Sequence, residues 1–152
     1  ANKEIVLPTD AIIAAEMKEE SPDKTVDINA IPSDMAGFDI GPKSLEHFKN
    51  VLKDGKTIIW NGPMGVFEVK KFAKGTFEVA KLLAEMKAVT IVGGGDSVAA
   101  VEQAGVAAKL THVSTGGGAS LEFMEGKVLP GVAALTEKGG CGGCCCGGGE
   151  CH

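Results

Sequence analysis

The chain has 152 residues, and 44% of them are hydrophobic, which suffices for one domain with a sizeable core. Its 20 acidic residues outnumber its 15 basic residues, all of which are lysine, and the formal net charge is −5. The sequence has no basic stripe for nucleic acid, no apolar run long enough to cross a membrane, and no arginine for bidentate binding of a phosphate.

The cysteines are confined to one end of the chain, between Cys141 and Cys151. Because none precedes them, the globular part is not a disulfide-linked scaffold. The first residues also lack the basic and then apolar pattern of a signal peptide. These features predict a cytoplasmic protein.

The first third of the chain predicts short extended segments and one helix. Pro42 suits a first helical position and Gly55 a helix end, and Leu45 and Phe48 fall on one face between them. The predicted elements are extended segments at 5–8 and 11–15, a half-exposed strand at 25–31, a loop at 32–41, and this helix.

The rest of the chain repeats one pattern, in which a short apolar strand is followed by a glycine-rich loop and a helix. The predicted strands are 57–60, 88–92 and 110–113, and the predicted helices are 71–87, 97–104 and 119 to about 125. This alternation predicts an α/β fold with a parallel sheet and flanking helices. The glycine-rich loops are expected to gather at the carboxyl edge of that sheet, where ligands bind.

The central glycine-rich loop runs from Gly93 to Gly95 and is followed by Asp96 and Ser97. Glycines let backbone N–H groups approach a ligand, and the first turn of a helix attracts anions. Asp96 would suit an anion that is accompanied by Mg²⁺, which prefers oxygen ligands. The alternative is an ordinary strand-to-helix turn with Asp96 as its N-cap.

Three further side chains have simple structural interpretations. We expect Trp60 to lie in the core and His47 to be solvated on a polar helix face. His112 lies within an apolar strand, which favours a hydrogen-bonded core residue over a catalytic one.

Three segments closely resemble the phosphoglycerate kinase family: residues 60–68 (WNGPMGVFE), 92–100 (VGGGDSVAA) and 112–122 (HVSTGGGASLE). Residues 5–10, 38–42 and 125–135 are similar to the family as well, so that the resemblance covers residues 3 to about 137. It implies that residues 1–138 form part of the family's C-terminal nucleotide-binding lobe, a three-layer, Rossmann-like α/β unit truncated at its start.

The resemblance implies reversible phosphoryl transfer between ATP and the carboxyl group of 3-phosphoglycerate, a reaction of glycolysis, with Mg²⁺ accompanying ATP or ADP. Gly37 is then expected near the base and ribose, Glu68 at the ribose hydroxyls, and Pro63 in the pocket wall. Asn61 would lie close to the phosphates.

The same resemblance assigns the phosphate chain to Gly94, Gly95, Asp96 and Ser97, with Asp96 as the carboxylate on the Mg²⁺ side. Gly95 and the three glycines Gly116, Gly117 and Gly118 are the expected catalytic positions, where backbone N–H groups point toward the phosphoryl group in flight.

Simpler alternatives remain for three of these side chains. Asn61 could cap a turn, Glu68 could be a solvated carboxylate, and Ser97 could be a helix N-cap.

The sequence also departs from the family. The phosphoglycerate lobe is absent, as is the first part of the nucleotide lobe with a lysine that contacts the phosphates. We therefore expect no competent kinase from this chain alone, and 3-phosphoglycerate as a partner only if the missing lobe is present. Members of the family are usually monomeric when complete. A truncated parallel sheet would expose a strand edge and an apolar face, which favours association or marginal stability.

Residues 139–152 form a Gly/Cys-rich tail that resembles nothing in the family, and we expect it to be non-native or disordered. Its alternative function is a soft-metal site built from Cys141, Cys144, Cys151 and His152. The corresponding alternative for the whole chain is a non-catalytic module. It would bind either a nucleotide or, through this tail, a soft metal.

Overall fold

The computed structural model describes residues 3–135. The chain divides into two compact units, Ala1–Gly117 and Gly118–His152. The Gly/Cys-rich tail, its predicted metal site and the end of the predicted lobe at residue 138 lie outside the described residues.

The first unit begins with a three-stranded antiparallel sheet. Its strands are β1 (Asp10–Ala14), β2 (Asp23–Asp27) and β3 (Ala36–Ile40), in the spatial order β2-β1-β3. β1 is buried along most of its length, whereas β2 is largely exposed. The prediction of a parallel sheet did not anticipate this second, antiparallel layer.

Two sequence-based predictions were wrong in this region. The strand expected at 25–31 is Asp23–Asp27, and a short 3₁₀ turn, Ile28–Ala30, follows it because the Asp27 side chain accepts a hydrogen bond from the Asn29 N–H. The loop expected at 32–41 contains strand β3, which pairs with β1 from Ala11 to Ala14 with one register shift. Long-range pairing with β1 overrides the weak strand propensity of Ala, Gly and Asp in this segment.

The predicted parallel sheet of the first unit is confirmed. Its strands are β4 (Thr57–Asn61), β5 (Val89–Gly93) and β6 (His112–Ser114), and they lie side by side in that order. The helices are α1 (Pro42–Leu52), α2 (Lys74–Glu85), α3 (Gly95–Gln103), α4 (Gly117–Met124) and α5 (Pro130–Ala133). Short 3₁₀ turns occupy Lys70–Phe72 and Ala107–Lys109.

The predicted helices differ from the observed ones mainly at their ends. The helix expected at 71–87 is split into a 3₁₀ turn and α2, which ends where Met86 becomes extended. α3 begins at Gly95, two residues before the predicted start at 97, and α4 begins at Gly117 rather than at 119. These two helix starts were predicted too late because each helix begins with glycine, which has a low helix propensity.

The main core lies between the parallel sheet and helices α2 and α3. It contains Trp60 of β4, Val79 and Leu83 of α2, and Val92 of β5, all buried. The core position of Trp60 is therefore confirmed. His112 is exposed, so the prediction of a core histidine was wrong: β6 is an edge strand of the sheet formed by the described residues and has a neighbouring strand on one side only.

β4 is an edge strand of the parallel sheet formed by the described residues. Beside it lies an apolar groove of about 290 Å³, lined by β4, α1 and α2 side chains that include Val51 and Val79. Val51 is 47% exposed there, whereas Val79 is 4% exposed. Among residues 3–135 the buried Trp60 indole N–H, at this groove, has no hydrogen-bond partner.

We predict that Val79→Ala lowers the free energy of unfolding by about 2 kcal/mol, because it removes two buried methyl groups from the core. The matched variant Val51→Ala should cost less than about 1 kcal/mol, because half of that side chain already contacts water. Urea denaturation of both variants checks this. Equal losses would contradict the assigned position of the core.

Candidate functional site

The carboxyl ends of the three parallel strands lie in one row. Asn61 pairs with Gly93, and Gly93 pairs with Ser114, which are the last residues of β4, β5 and β6. The loops that follow the three strands therefore begin at the same level of the sheet. This register brings together the glycine-rich loops that were expected at the carboxyl edge.

Gly117 lies too close to the backbone of Gly94 to be replaced by a residue with a side chain. A Cβ at Gly117 would lie 2.8 Å from the Cα of Gly94, and one at Gly94 would lie 3.1 Å from the Asn61 Oδ1. Gly94 also has a φ of +96°, a conformation that other residues rarely adopt, and its N–H donates to the Ser114 carbonyl. Three of the predicted site residues, Asn61, Gly94 and Gly117, therefore lie together.

Helix α3 begins at this point, with Gly94 as its N-cap and no side chain capping it. The alternative roles of Asp96 and Ser97 as the N-cap were therefore wrong. Asp96 is exposed in the first turn, and a Cβ at the adjacent Gly95 would meet open space. Gly95 and Asp96, the first two residues of the helix, are both exposed, and the first N–H groups of a helix have no partner within the helix itself.

Ser97 is fully buried, and its Oγ accepts a hydrogen bond of 2.7 Å from the Gly62 N–H. The side chain thus joins the first turn of α3 to the loop after β4. Gly62 has a φ of +95°, so this turn also depends on a glycine. A contact of Ser97 with phosphate remains a prediction, and its buried Oγ is already engaged with the protein.

A separate cleft of about 270 Å³ contains two more of the predicted residues, Gly37 and Pro63. Its walls come from β1, from β3 and from the loop after β4, namely Pro8, Asp10, Ala11, 37–40 and 63–66. Gly37 is exposed, and a Cβ there would contact only the side chain of Ala11. The loop after β4 thus begins at Asn61, in the row of strand ends, and continues into this cleft.

Three predicted site residues remain: Glu68, Gly116 and Gly118. Glu68 is exposed in a turn and is not among the residues that line the cleft. The Gly116 N–H donates to the Ser114 Oγ at 3.3 Å, which places it beside the end of β6. Gly118 is exposed within α4 and is the first residue of the second unit.

Two buried aspartates at the cleft were missed by the sequence analysis. Asp10 accepts hydrogen bonds from the Lys43 N–H, the Ser44 N–H and the Ser44 hydroxyl at the start of α1. Asp39 accepts from the Gly75 N–H at the start of α2, at 2.7 Å, and from the Ile40 N–H at 2.8 Å. The available signal was a single acid within the apolar segments LPTDAII and FDI.

The two carboxyl groups have opposite pKa shifts. Burial raises the pKa of Asp39 to about 6, although the Gly75 and Ile40 N–H groups oppose the shift. Burial also acts to raise the pKa of Asp10, but the hydrogen bonds from Ser44 and Lys43, together with the Lys43 charge, lower it overall. Asp10 is thus stabilised as an anion, whereas ionisation of Asp39 is costly.

Residues 3–135 contain no cluster of three or more His, Cys, Asp or Glu side chains that could hold a metal ion. In the same part of the chain no helix is long and apolar enough to cross a membrane.

Residues 1–127 match the family model of phosphoglycerate kinase. The chain belongs to the phosphoglycerate kinase family. A relative named phosphoglycerate kinase from Lactiplantibacillus plantarum is 57% identical over 139 residues, which cover 91% of this chain and 34% of the relative. A relative from Volvox carteri, named a chloroplastic phosphoglycerate kinase, is 57% identical over 138 residues, or 89% of this chain and 30% of the relative.

Solved structures of the family are similar too. That of phosphoglycerate kinase from Coxiella burnetii has a TM-score of 0.77 at 41% identity, over 81% of this chain and 32% of that chain. That of the Pyrococcus horikoshii enzyme has a TM-score of 0.72 at 36% identity, over 84% of this chain and 31% of that chain. The chain spans about a third of the length of the relatives it matches.

The two neighbouring glycines of the central loop should respond differently to alanine. Gly94→Ala should lower the free energy of unfolding by about 1–3 kcal/mol, because its φ is unsuited to a side chain. Gly95→Ala should leave stability unchanged or raise it by up to about 1 kcal/mol, because the position is helical and open. Denaturation without ligand measures both, and similar effects would contradict the described loop.

The raised pKa of Asp39 predicts a pH-dependent stability. Its contribution is fully present below the unfolded value of 3.8 and is lost as the pH rises through about 6. The free energy of unfolding of the wild type, minus that of Asp39→Asn, should therefore fall by about 2 kcal/mol between pH 4 and pH 7. Asp34→Asn, at an exposed carboxylate, is the control, and a pH-independent difference for Asp39 would refute the assignment.

Proposed function

We propose that this chain is the nucleotide-binding part of a phosphoglycerate kinase and that MgADP and MgATP bind at the carboxyl edge of its parallel sheet. The observation that carries the proposal is the close approach of Gly94 and Gly117 in the row formed by Asn61, Gly93 and Ser114. Beside it, Gly95 and Asp96 are exposed in the first turn of α3, which no side chain caps.

The phosphate chain would lie along Gly94–Ser97 and the glycines after β6. The N–H groups in the first turn of α3 and the dipole of that helix attract an anion without a cationic side chain. The chain contains no arginine, which makes such a backbone site the more suitable one. Asp96 alone would repel phosphate, but it fits Mg²⁺ that takes its other ligands from phosphate oxygens and water. When bound, Mg²⁺ would neutralise charge on the transferring phosphoryl group.

The base and ribose would occupy the cleft between Gly37 and Pro63. Its volume of about 270 Å³ is near the lower end of the usual range for small-molecule sites, so it suits part of a nucleotide. The loop after β4 supports this assignment, because it begins at Asn61, beside the proposed phosphate site, and continues as a wall of the cleft. Glu68 follows this loop and would reach the ribose hydroxyls.

In the whole protein, the proposed reaction is reversible phosphoryl exchange between ATP and the carboxyl group of 3-phosphoglycerate in glycolysis. Here the residues of this chain would bind and orient the nucleotide, and the Gly95 N–H would point at the transferring phosphoryl group. The N–H groups of Gly116 and Gly117 donate to the Ser114 Oγ and the Thr115 carbonyl, and they would have to exchange these acceptors for phosphate oxygens. This chain spans about a third of the length of its relatives, and we expect the cations that bind the acidic substrate to lie in the remaining part. By itself the chain would therefore bind nucleotide without measurable transfer, as a non-catalytic module.

We predict that Asp96→Asn weakens MgADP binding at least about tenfold, because it removes the carboxylate expected on the Mg²⁺ side. In EDTA the same substitution should weaken ADP binding little, or strengthen it, because a negative charge near the phosphates is lost. Calorimetric titration measures both. Glu102→Gln is the matched control at the other end of α3 and should bind MgADP as the wild type does.

An equal effect of Asp96→Asn with and without Mg²⁺ would contradict the role of this carboxylate. A coupled assay for ADP formation from 3-phosphoglycerate and MgATP tests the second part of the proposal. Turnover by this chain near that of a complete phosphoglycerate kinase would show that the missing cations are dispensable.

A further inference from the structure

The cleft has two walls that are distant in sequence, strand β3 and the loop after β4. They are joined directly by one backbone hydrogen bond, in which the Val66 N–H donates to the Phe38 carbonyl at 2.8 Å. Gly65 permits this contact, because a Cβ there would lie 2.5 Å from both the Phe38 carbonyl oxygen and the Asp39 Oδ1. The distance between the two walls therefore depends on this hydrogen bond and on the close packing at Gly65.

The loop is also bonded to helix α2. The Thr76 Oγ1 accepts hydrogen bonds from the Met64 N–H at 3.1 Å and from the Gly65 N–H at 3.2 Å. Thr76 is fully buried, so water does not replace it. A single hydroxyl thus satisfies two backbone donors of the loop.

The start of α2 is in turn bonded to β3. Its N-cap residue, Ala73, has no side chain to cap the helix, and the Asp39 carboxylate accepts the Gly75 N–H in its place. A Cβ at Gly75 would lie 2.3 Å from the Asp39 Oδ1, so only glycine allows this approach. The hydrogen bonds form a closed ring: β3 to α2 through Asp39, α2 to the loop through Thr76, and the loop back to β3.

We infer that Asp39 and Thr76 are positioning residues of the nucleotide site, which set the distance between Gly37 and Pro63. This inference rests on the proposed function. Thr76 acts on the loop wall through its two acceptor contacts, and Asp39 holds the helix turn that carries Thr76. Breaking the ring lets the loop move and leaves buried N–H groups unpaired, so the cleft loses its fit to the base and ribose.

The test is calorimetric titration of the chain with ADP and, separately, with magnesium pyrophosphate, which has no base or ribose. Thr76→Val should weaken ADP binding about tenfold and leave pyrophosphate binding unchanged, because only the loop wall is affected. Thr76→Ser keeps the hydroxyl and should restore ADP binding to within about twofold of the wild type. Asp39→Asn keeps one acceptor oxygen and should weaken ADP binding by a smaller factor.

Thr90→Val is the matched control, because Thr90 is buried as Thr76 is. It also removes a threonine hydroxyl that accepts a backbone N–H, that of Thr111, but at the start of β5. ADP affinity should be unchanged in this variant. Equal ADP affinities of the wild type and Thr76→Val, or equal losses for ADP and pyrophosphate, would overturn the inference. Failure of the wild type to bind ADP at all would instead refute the proposed function, and the inference with it.

If Thr76→Val does not fold, hydrogen exchange of the wild type tests the positioning role of Asp39 and Thr76. The amides of Met64, Gly65 and Gly75 should exchange through one common opening, and saturating ADP should slow all three by the same factor. Unequal responses of these three amides to ADP would overturn the inference.

Discussion

The rest of the candidate site depends on one constraint, the in-register parallel pairing that ends at Asn61, Gly93 and Ser114. Because the strands end at the same level, the loops that follow them must share a small space. A side chain at Gly117 would meet the backbone of Gly94, so this packing requires a glycine there. Gly95, which follows Gly94, is exposed at the start of α3. The packing of these loops and the proposed phosphate site therefore depend on the same glycine-rich segments.

The second constraint is the attachment of the antiparallel sheet to the helices. Asp10 binds the start of α1 and Asp39 binds the start of α2, each through backbone N–H groups that the helix itself leaves unpaired. A carboxylate there also interacts favourably with the helix dipole. Asp39 is 5% exposed, and this burial makes its charge costly at neutral pH. The ionised Asp39 therefore lowers stability locally, at the position where β3 is bonded to the start of α2.

The sequence predicted the parallel part of the fold because each strand, glycine-rich loop and helix follow one another locally. β3 was not predicted, because its pairing partner β1 is remote in sequence and Gly37 weakens its strand pattern. The glycines of the site could be found from the motifs, since they occupy the loops themselves. The roles of Asp39 and Thr76 could not, because each depends on contacts across more than ten residues. Ser97 shows the same difficulty, since its hydroxyl bonds to Gly62 rather than capping its own helix.

The most direct test of the account is the response of backbone amide resonances to MgADP. The phosphate site and the base-and-ribose cleft are proposed to bind one nucleotide, linked by the loop that runs from Asn61 to Val66. We expect the largest shifts at Gly94, Gly95 and Asp96, and a second group at Gly37 and Met64, all with one dissociation constant. Shifts confined to one of the two groups, or absent from both, would contradict the assignment of this edge of the sheet as a nucleotide site.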